Sequence, residues 1–317
     1  MPNENLLVSV CMIAFNVESY ISKAIEGVLL QKTAFPFELV IGEDCSKDGT
    51  RRICEDYAAR YPGLIRLLPS GKNHGMAGNY ARTLAHCRGK YIAVCDSDDI
   101  WVDPLKLQQQ IRFLEEHPDY GVVYTDVETI SETGEVFDDP DHAQIRTGYA
   151  EGDVFFKLLQ GNFVNNPTAV FRLALVHGHR IDEDRRYYNY DHRLWLHIAA
   201  QSKIGFINAK TTQYRKHSGS ATKSKISNRR KFQHHLFNII VSFDRHNKRP
   251  LSKPERTLLF KKMLSVLYRK ENTLKMKVRM LAMIPKYFPG TRGLMRVFFH
   301  KIRPMRHLAA TDEMLKN

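Results

Sequence analysis

The 317-residue chain contains no stretch of about 18 consecutive apolar residues, the length a bilayer-spanning helix needs, so none is expected. Its opening residues, MPNENLLVSVCMIAFNVESY, have no cationic segment ahead of the apolar run and no small-residue cleavage site. They do not read as a secretory signal. Cysteine is scarce. Cys11, Cys45, Cys54, Cys87 and Cys95 form no CxxC pair and are odd in number, which argues for a reducing cytosol rather than a disulfide framework. Cys11 and Cys95 lie inside apolar runs and read as small core hydrophobes. Glycine-rich phosphate loops are missing too: no GxGxxG follows the first apolar run, and no GxxxxGKS or GxxxxGKT occurs. Neither a dinucleotide cradle nor a P-loop is present, so a phosphorylated ligand here would need a metal to neutralise it.

Acidic residues are scarce in one part of the chain only. Residues 223–317 carry 24 Lys plus Arg against 5 Asp plus Glu, whereas residues 1–222 carry 24 against 29. The net charge of +14 is thus a +19 tail on a −5 body. Such asymmetry points to an anionic partner for the tail, a membrane surface or a nucleic acid. A hydrophobic fraction of 43% with 26% charged residues excludes a disordered chain and leaves a globular one with a full core.

In the body, apolar runs alternate with amphipathic patterns. Residues 6–15, 37–44, 64–69, 90–96 and 120–127 read as strands, most of them continuous enough to be buried on both faces. Helical patterns lie near 18–31, 49–60, 77–87 and 104–116. The alternation predicts an α/β domain on a mainly parallel sheet, in which ligands bind at the carboxyl ends of the strands. Those ends are acidic here: Asn16 and Glu18 follow the first strand; Glu43, Asp44, Ser46 and Asp48 the second; Asp96, Asp98 and Asp99 the fourth. EDCSKDGT also fits a helix N-cap with acidic residues favouring the dipole. Three aspartates within four positions have no packing reason. Clustered hard oxygen donors suit Mg²⁺ or Mn²⁺ completed by a ligand's phosphates.

VSVCMIAFNVESYISKAIEGVLLQ, ELVIGEDCSKDGT, NHGMAGNYARTLAHCRGKYIAVCDSDDIW, YNYDHRLWLHIA and YRKHSGSAT occur in that order over some 200 residues. Together they resemble the family 2 glycosyltransferases of GT-A fold, inverting enzymes that use nucleotide sugars. The resemblance implies that Ala14, Phe15 and Asn16 line a nucleobase pocket, with Glu18 near the ribose and Asp44 at the uracil edge. It places Asn79 and Arg82 toward the nucleotide and donor sugar. DSDD matches the DxD motif, with Asp96 and Ser97 on the ribose side, Asp98 the principal metal ligand, Asp99 assisting, and His217 near the diphosphate or metal. Asp191 falls on the catalytic base; Tyr190 stands where the family has another acid. The alternatives are a surface loop for His217 and the first turn of an amphipathic helix for Asp191. His177 and His179 lack a third partner at metal-like spacing.

The resemblance also implies a UDP-sugar donor, hexosyl or N-acetylhexosaminyl transfer, and a saccharide or lipid-linked saccharide acceptor, as in bacterial cell-surface assembly. GNFVNNPTAVFR (161–172), with Asn165, Asn166 and Thr168, is expected to floor the acceptor site. A nucleotidyltransferase would show a Gly-rich loop after the first strand, and a binding module would not need Asp191. The expected organisation is a GT-A domain over 1–222, its nucleotide-sugar half near 1–130 and acceptor half near 131–222, followed by a basic helical region over 223–317. Helical patterns there, at 226–246, 252–271, 274–284 and 292–307, interleave aromatic and aliphatic residues with Lys and Arg. That is the composition of an interfacial helix. A peripheral location on the cytoplasmic face of the membrane is expected, ahead of plain packing and of nucleic-acid binding.

Overall fold

The run VSVCMIA forms strand β1 (Val8–Ala14), and its alternation puts Val8, Val10, Met12 and Ala14 on one face, none above 2% exposed. This computed structural model describes residues 6–176, 190–219 and 252–267, with Thr273, Leu274, Lys277, Val278 and Leu281. In chain order β1 is followed by α1 (Ile21–Leu29), β2 (Phe37–Glu43), α2 (Thr50–Arg60), β3 (Ile65–Leu67), α3 (Gly75–His86), β4 (Tyr91–Val94), β5 (Ile100–Trp101) and α4 (Lys106–Glu116). Then come β6 (Tyr120–Ile130), α5 (Pro140–Arg146), α6 (Phe155–Gln160), a 3-10 turn (Asn166–Thr168), β7 (Val170–Arg172), a second 3-10 turn (Leu173–Val176), α7 (Tyr190–Ala199), β8 (Lys203–Arg215) and α8 (Lys253–Leu267).

The strands form one sheet in the order β3-β2-β1-β4-β7-β6-β8-β5. It is mainly parallel: β1 pairs in parallel with β2 and β4, β2 with β3, and β6 with β8, while β7 runs antiparallel between β4 and β6. Register aligns Val10 with Leu39 and with Ala93, so side chains from three strands form common layers. Those layers meet Ile21, Ala24, Ile25 and Val28 of α1, Cys54 and Tyr57 of α2, and Leu107, Ile111 and Leu114 of α4 in one buried cluster. The opposite face receives Tyr80 and Leu84 of α3. Burial on both faces explains why these strands are continuously apolar.

Two glycines permit the closest approaches. A Cβ on Gly42 would stand 1.8 Å from Thr83 Oγ1, where α3 crosses β2; one on Gly27 would stand 2.8 Å from Trp101 O, where α1 meets β5. The chain divides into two compact units, Met1–Lys225 and Ile226–Asn317. In the second, α8 begins with a reciprocal cap: Ser252 N donates to Glu255 Oε2 (2.7 Å), and Glu255 N donates to Ser252 Oγ (3.5 Å). Among the described residues no helix is long and apolar enough to cross a membrane. His177, His179 and the expected helices at 226–246 and 292–307 lie outside the described residues.

Candidate active site

The sheet order turns at β1, whose neighbours β2 and β4 lead in opposite sequence directions, and the candidate site lies at the carboxyl ends of these strands. The loops after β1 and β2 are knitted together. Asn16 N donates to Ser46 Oγ (2.9 Å), Lys47 N donates to Asn16 Oδ1 (2.9 Å), and Gly49 N donates to Glu18 Oε2 (2.8 Å) just ahead of α2. Asn16 (φ 52°) and Cys45 (φ 58°) both occupy the left-handed region, uncommon for residues other than glycine. Beside buried Ala14, Phe15 is 45% exposed.

Asp44, Asn79 and Arg82 form a second layer. The Asp44 carboxylate accepts from His74 N (2.7 Å) and Gly75 N (2.9 Å) at the start of α3, where the helix dipole favours an anion. Asn79 Nδ2 donates to Gly42 O (2.6 Å), and its Oδ1 accepts from Arg82 Nη2 (2.8 Å). Arg82 also donates to Pro69 O and Glu43 O. These polar groups tie the loop after β2 to α3.

After β4 the chain turns sharply, with Asp99 N donating to Asp96 O (3.2 Å). Its three aspartates acquire different partners. Asp96 accepts from Asn166 Nδ2 at both carboxylate oxygens (3.0 and 3.1 Å). Asp98 Oδ2 stands 3.0 Å from His217 Nε2. Asp99 is committed to β8, its Oδ1 accepting from Arg215 N (2.7 Å), and its Oδ2 is buried with no hydrogen-bond partner. Ser97, between them, is buried. Arg215, itself 2% exposed, donates to Asp98 O, Ser131 O and Glu132 O and lies over the Tyr20 ring, which also packs against His217. The YRKH segment thereby clamps the acidic turn from the β8 side.

Asp191 enters from the first turn of α7, where Asn162 Nδ2 donates to its Oδ2 (2.9 Å). Tyr190 points its ring inward against Tyr80, with ring centroids 4.4 Å apart. The acidic groups are under strain from burial and from one another. Burial first, then the charge on Asp98, raises the Asp96 carboxyl to about 7 although Asn166 opposes the rise, and Asp191 adds to it. Burial raises Asp191 to about 6, opposed by hydrogen bonds from the α7 backbone and Asn162. Burial, with Asp98 and Asp96, also pushes Asp99 well above the usual carboxylate range.

Among the described residues no group of three or more His, Cys, Asp or Glu side chains is arranged as a metal cage. The donor set fits a divalent ion in a different way. Asp98 and His217 adjoin one another as two possible ligands, close to the partnerless Asp99 Oδ2, and Mg²⁺ or Mn²⁺ commonly takes one or two protein ligands with phosphates completing the shell.

Asn162, Arg215 and Tyr20 lie in segments that sequence singles out, yet sequence gives them no role there, because their partners lie 29, 116 and 112 positions away. The 161–172 segment, expected at the acceptor floor, places Asn166 against Asp96 on the turn after β4.

Residues 9–177 match the description of glycosyl transferase family 2, and the chain belongs to that family. An uncharacterized protein of Mycobacterium tuberculosis (strain H37Rv) is 33% identical over 224 residues, which cover 71% of this chain and 63% of the relative. The chain thus spans less than two thirds of the length of the first curated relatives it matches. The putative teichuronic acid biosynthesis glycosyltransferase TuaG of Bacillus subtilis is 35% identical over 116 residues, 37% of this chain and 45% of that protein. Among solved structures, TarS 1–349 of S. aureus in complex with UDP-GlcNAc superimposes with a TM-score of 0.63 at 17% identity, covering 96% of this chain and 87% of that one. That likeness defines the fold as GT-A.

Proposed function

We propose that the protein transfers a sugar from a UDP-sugar to an acceptor hydroxyl with inversion at the anomeric carbon, the sugar being a hexosyl or N-acetylhexosaminyl group. The observation that carries this reading is the juxtaposition of two carboxylate groups at one crevice: the Asp96–Asp99 turn, and Asp191 held beside it through the 162–166 segment. Ala14, Phe15 and Asn16 would receive the nucleobase, with Glu18, Asp44, Asn79 and Arg82 behind them, and Asp96 and Ser97 would meet the ribose side. Asp98 and His217, with Asp99 behind them, would hold Mg²⁺ or Mn²⁺, which when bound supplies positive charge for the donor's diphosphate. Asp191 takes the acceptor proton as the hydroxyl attacks, and its lifted affinity for protons suits a general base near neutral pH.

The name of the B. subtilis relative supports a place in cell-surface polysaccharide or glycolipid assembly, with a saccharide or lipid-linked saccharide as acceptor. The reading extends to a GT-A domain over 1–222, divided near residue 130, and a basic region over 223–317 that meets the anionic inner face of the cell membrane. The test is thermal shift with UDP and Mn²⁺. UDP is expected to stabilise the wild-type protein only when the ion is present, and Asp98→Ala is expected to lose that stabilisation while keeping the melting temperature of the free protein. Undiminished UDP binding in EDTA would refute the metal-dependent donor site.

A further inference from the structure

Asp191 is a half-buried carboxylate that must keep one orientation to act on an acceptor. The residue before it, Tyr190, offers no help, because its ring is buried against Tyr80. A side chain 29 positions earlier does: Asn162 Nδ2 donates to Asp191 Oδ2 at 2.9 Å. The amide is itself fixed, since Val164 N donates to Asn162 Oδ1 (3.1 Å) and so commits the oxygen, leaving the NH₂ to face Asp191. Phe163 and Val164, buried at 5% and 3% exposure, anchor the segment that carries it. Four residues on, Asn166 makes the equivalent donation to Asp96. One segment therefore sets both carboxylates.

We infer that Asn162 is the positioning residue for Asp191, holding the carboxylate in a single orientation through Nδ2 and favouring its ionised form; this rests on the reading of Asp191 as the base. A donor aimed at one carboxylate oxygen leaves the other to take the acceptor proton and stabilises the anion over the acid. The titratable groups that feel the Asp191 charge are Asp96, on the turn after β4, and Tyr190 beside it on α7, both of which it favours in their protonated forms. Burial is what disfavours the charge on Asp191, and the amide opposes that effect.

The experiment follows the Asp191 side-chain carboxyl by ¹³C NMR titration of the full chain, alongside UDP release from UDP-GlcNAc with water as acceptor. Asn162→Leu is expected to raise the Asp191 midpoint by about one pH unit, the size of one lost hydrogen bond to a charged group. The acid limb of kcat should move with it and kcat should fall at least tenfold, while KM for UDP-GlcNAc stays within twofold. Asn162→Asp keeps the acceptor for Val164 N and removes the donor, so it should raise the midpoint further in a protein that still folds. An unmoved midpoint in both variants would overturn the inference even if turnover fell. Full turnover in Asp191→Asn would instead overturn the base assignment, and with it any positioning role.

Discussion

At the scale of single residues, environment separates the functions of like side chains. Asp96, Asp98, Asp99 and Asp191 share one chemistry, yet one is gripped by Asn166, one faces His217, one is bound to the β8 backbone and one is held by Asn162. Burial raises the Asp191 carboxyl to about 6, above its ordinary 3.8, so its carboxylate forms as pH rises through 6 and is lost below it. Turnover limited by this group should therefore fall about tenfold for each pH unit below that value. Asp191→Asn is expected to lower kcat by about 10² to 10⁴ while changing UDP-sugar affinity only a few-fold, measured by turnover and by calorimetry on the same preparation. Weakened donor binding with kcat retained would move Asp191 out of the base role.

At the scale of elements, the 3-10 turn bearing Asn166 is suspended from one side of the fold. Trp101 Nε1 donates to Pro167 O (2.8 Å), Gln110 Nε2 donates to Thr168 O (2.8 Å), and Lys106 Nζ donates to Thr168 O (3.2 Å) and Gln110 Oε1 (2.6 Å). Lys106 is fully buried, and burial lowers its ammonium to about 7, with Asp103 opposing as a charged neighbour. Its folded value lies below its ordinary 10.5, so between pH 7 and 10 the unfolded chain binds the extra proton. This group therefore adds stability as pH rises across that window. The melting temperature of the wild type relative to Lys106→Met is expected to increase between pH 7 and 9.5; parallel curves would show that Lys106 is not the titrating group.

At the scale of the whole molecule, the distribution of charge is the organising fact: 24 basic against 5 acidic residues after 222, and an acidic excess before it. Each Lys or Arg near an anionic leaflet contributes roughly 1 kcal/mol, and the proposed membrane contact would draw a second anchoring signal from apolar residues among them, such as Phe288, Leu294, Met295, Val297, Phe298 and Phe299. The full chain is expected to co-sediment with anionic but not neutral vesicles at low salt, and a chain ending at Ala221 to stay in the supernatant. Equal sedimentation of both would assign the basic region to packing instead.

The alternation of VSVCMIA, FELVIGE and YIAV with amphipathic segments was sufficient to anticipate a parallel sheet with covered faces, because side-chain period and burial are local properties of the chain. The acidic turn was equally legible, since three aspartates in four residues repel one another without a ligand. The antiparallel insertion of β7 between β4 and β6 was not, nor was the pairing of Asn162 with Asp191, of Arg215 with Asp99, or of Lys106 with Thr168. Those contacts span 29 to 116 positions, and in each pair sequence gives at least one partner no role. Sequence determined which groups could bear charge at the strand ends; only the closing of β7 and β8 onto that edge decided which partner each carboxylate received, because a hydrogen bond depends on distance in space and not along the chain.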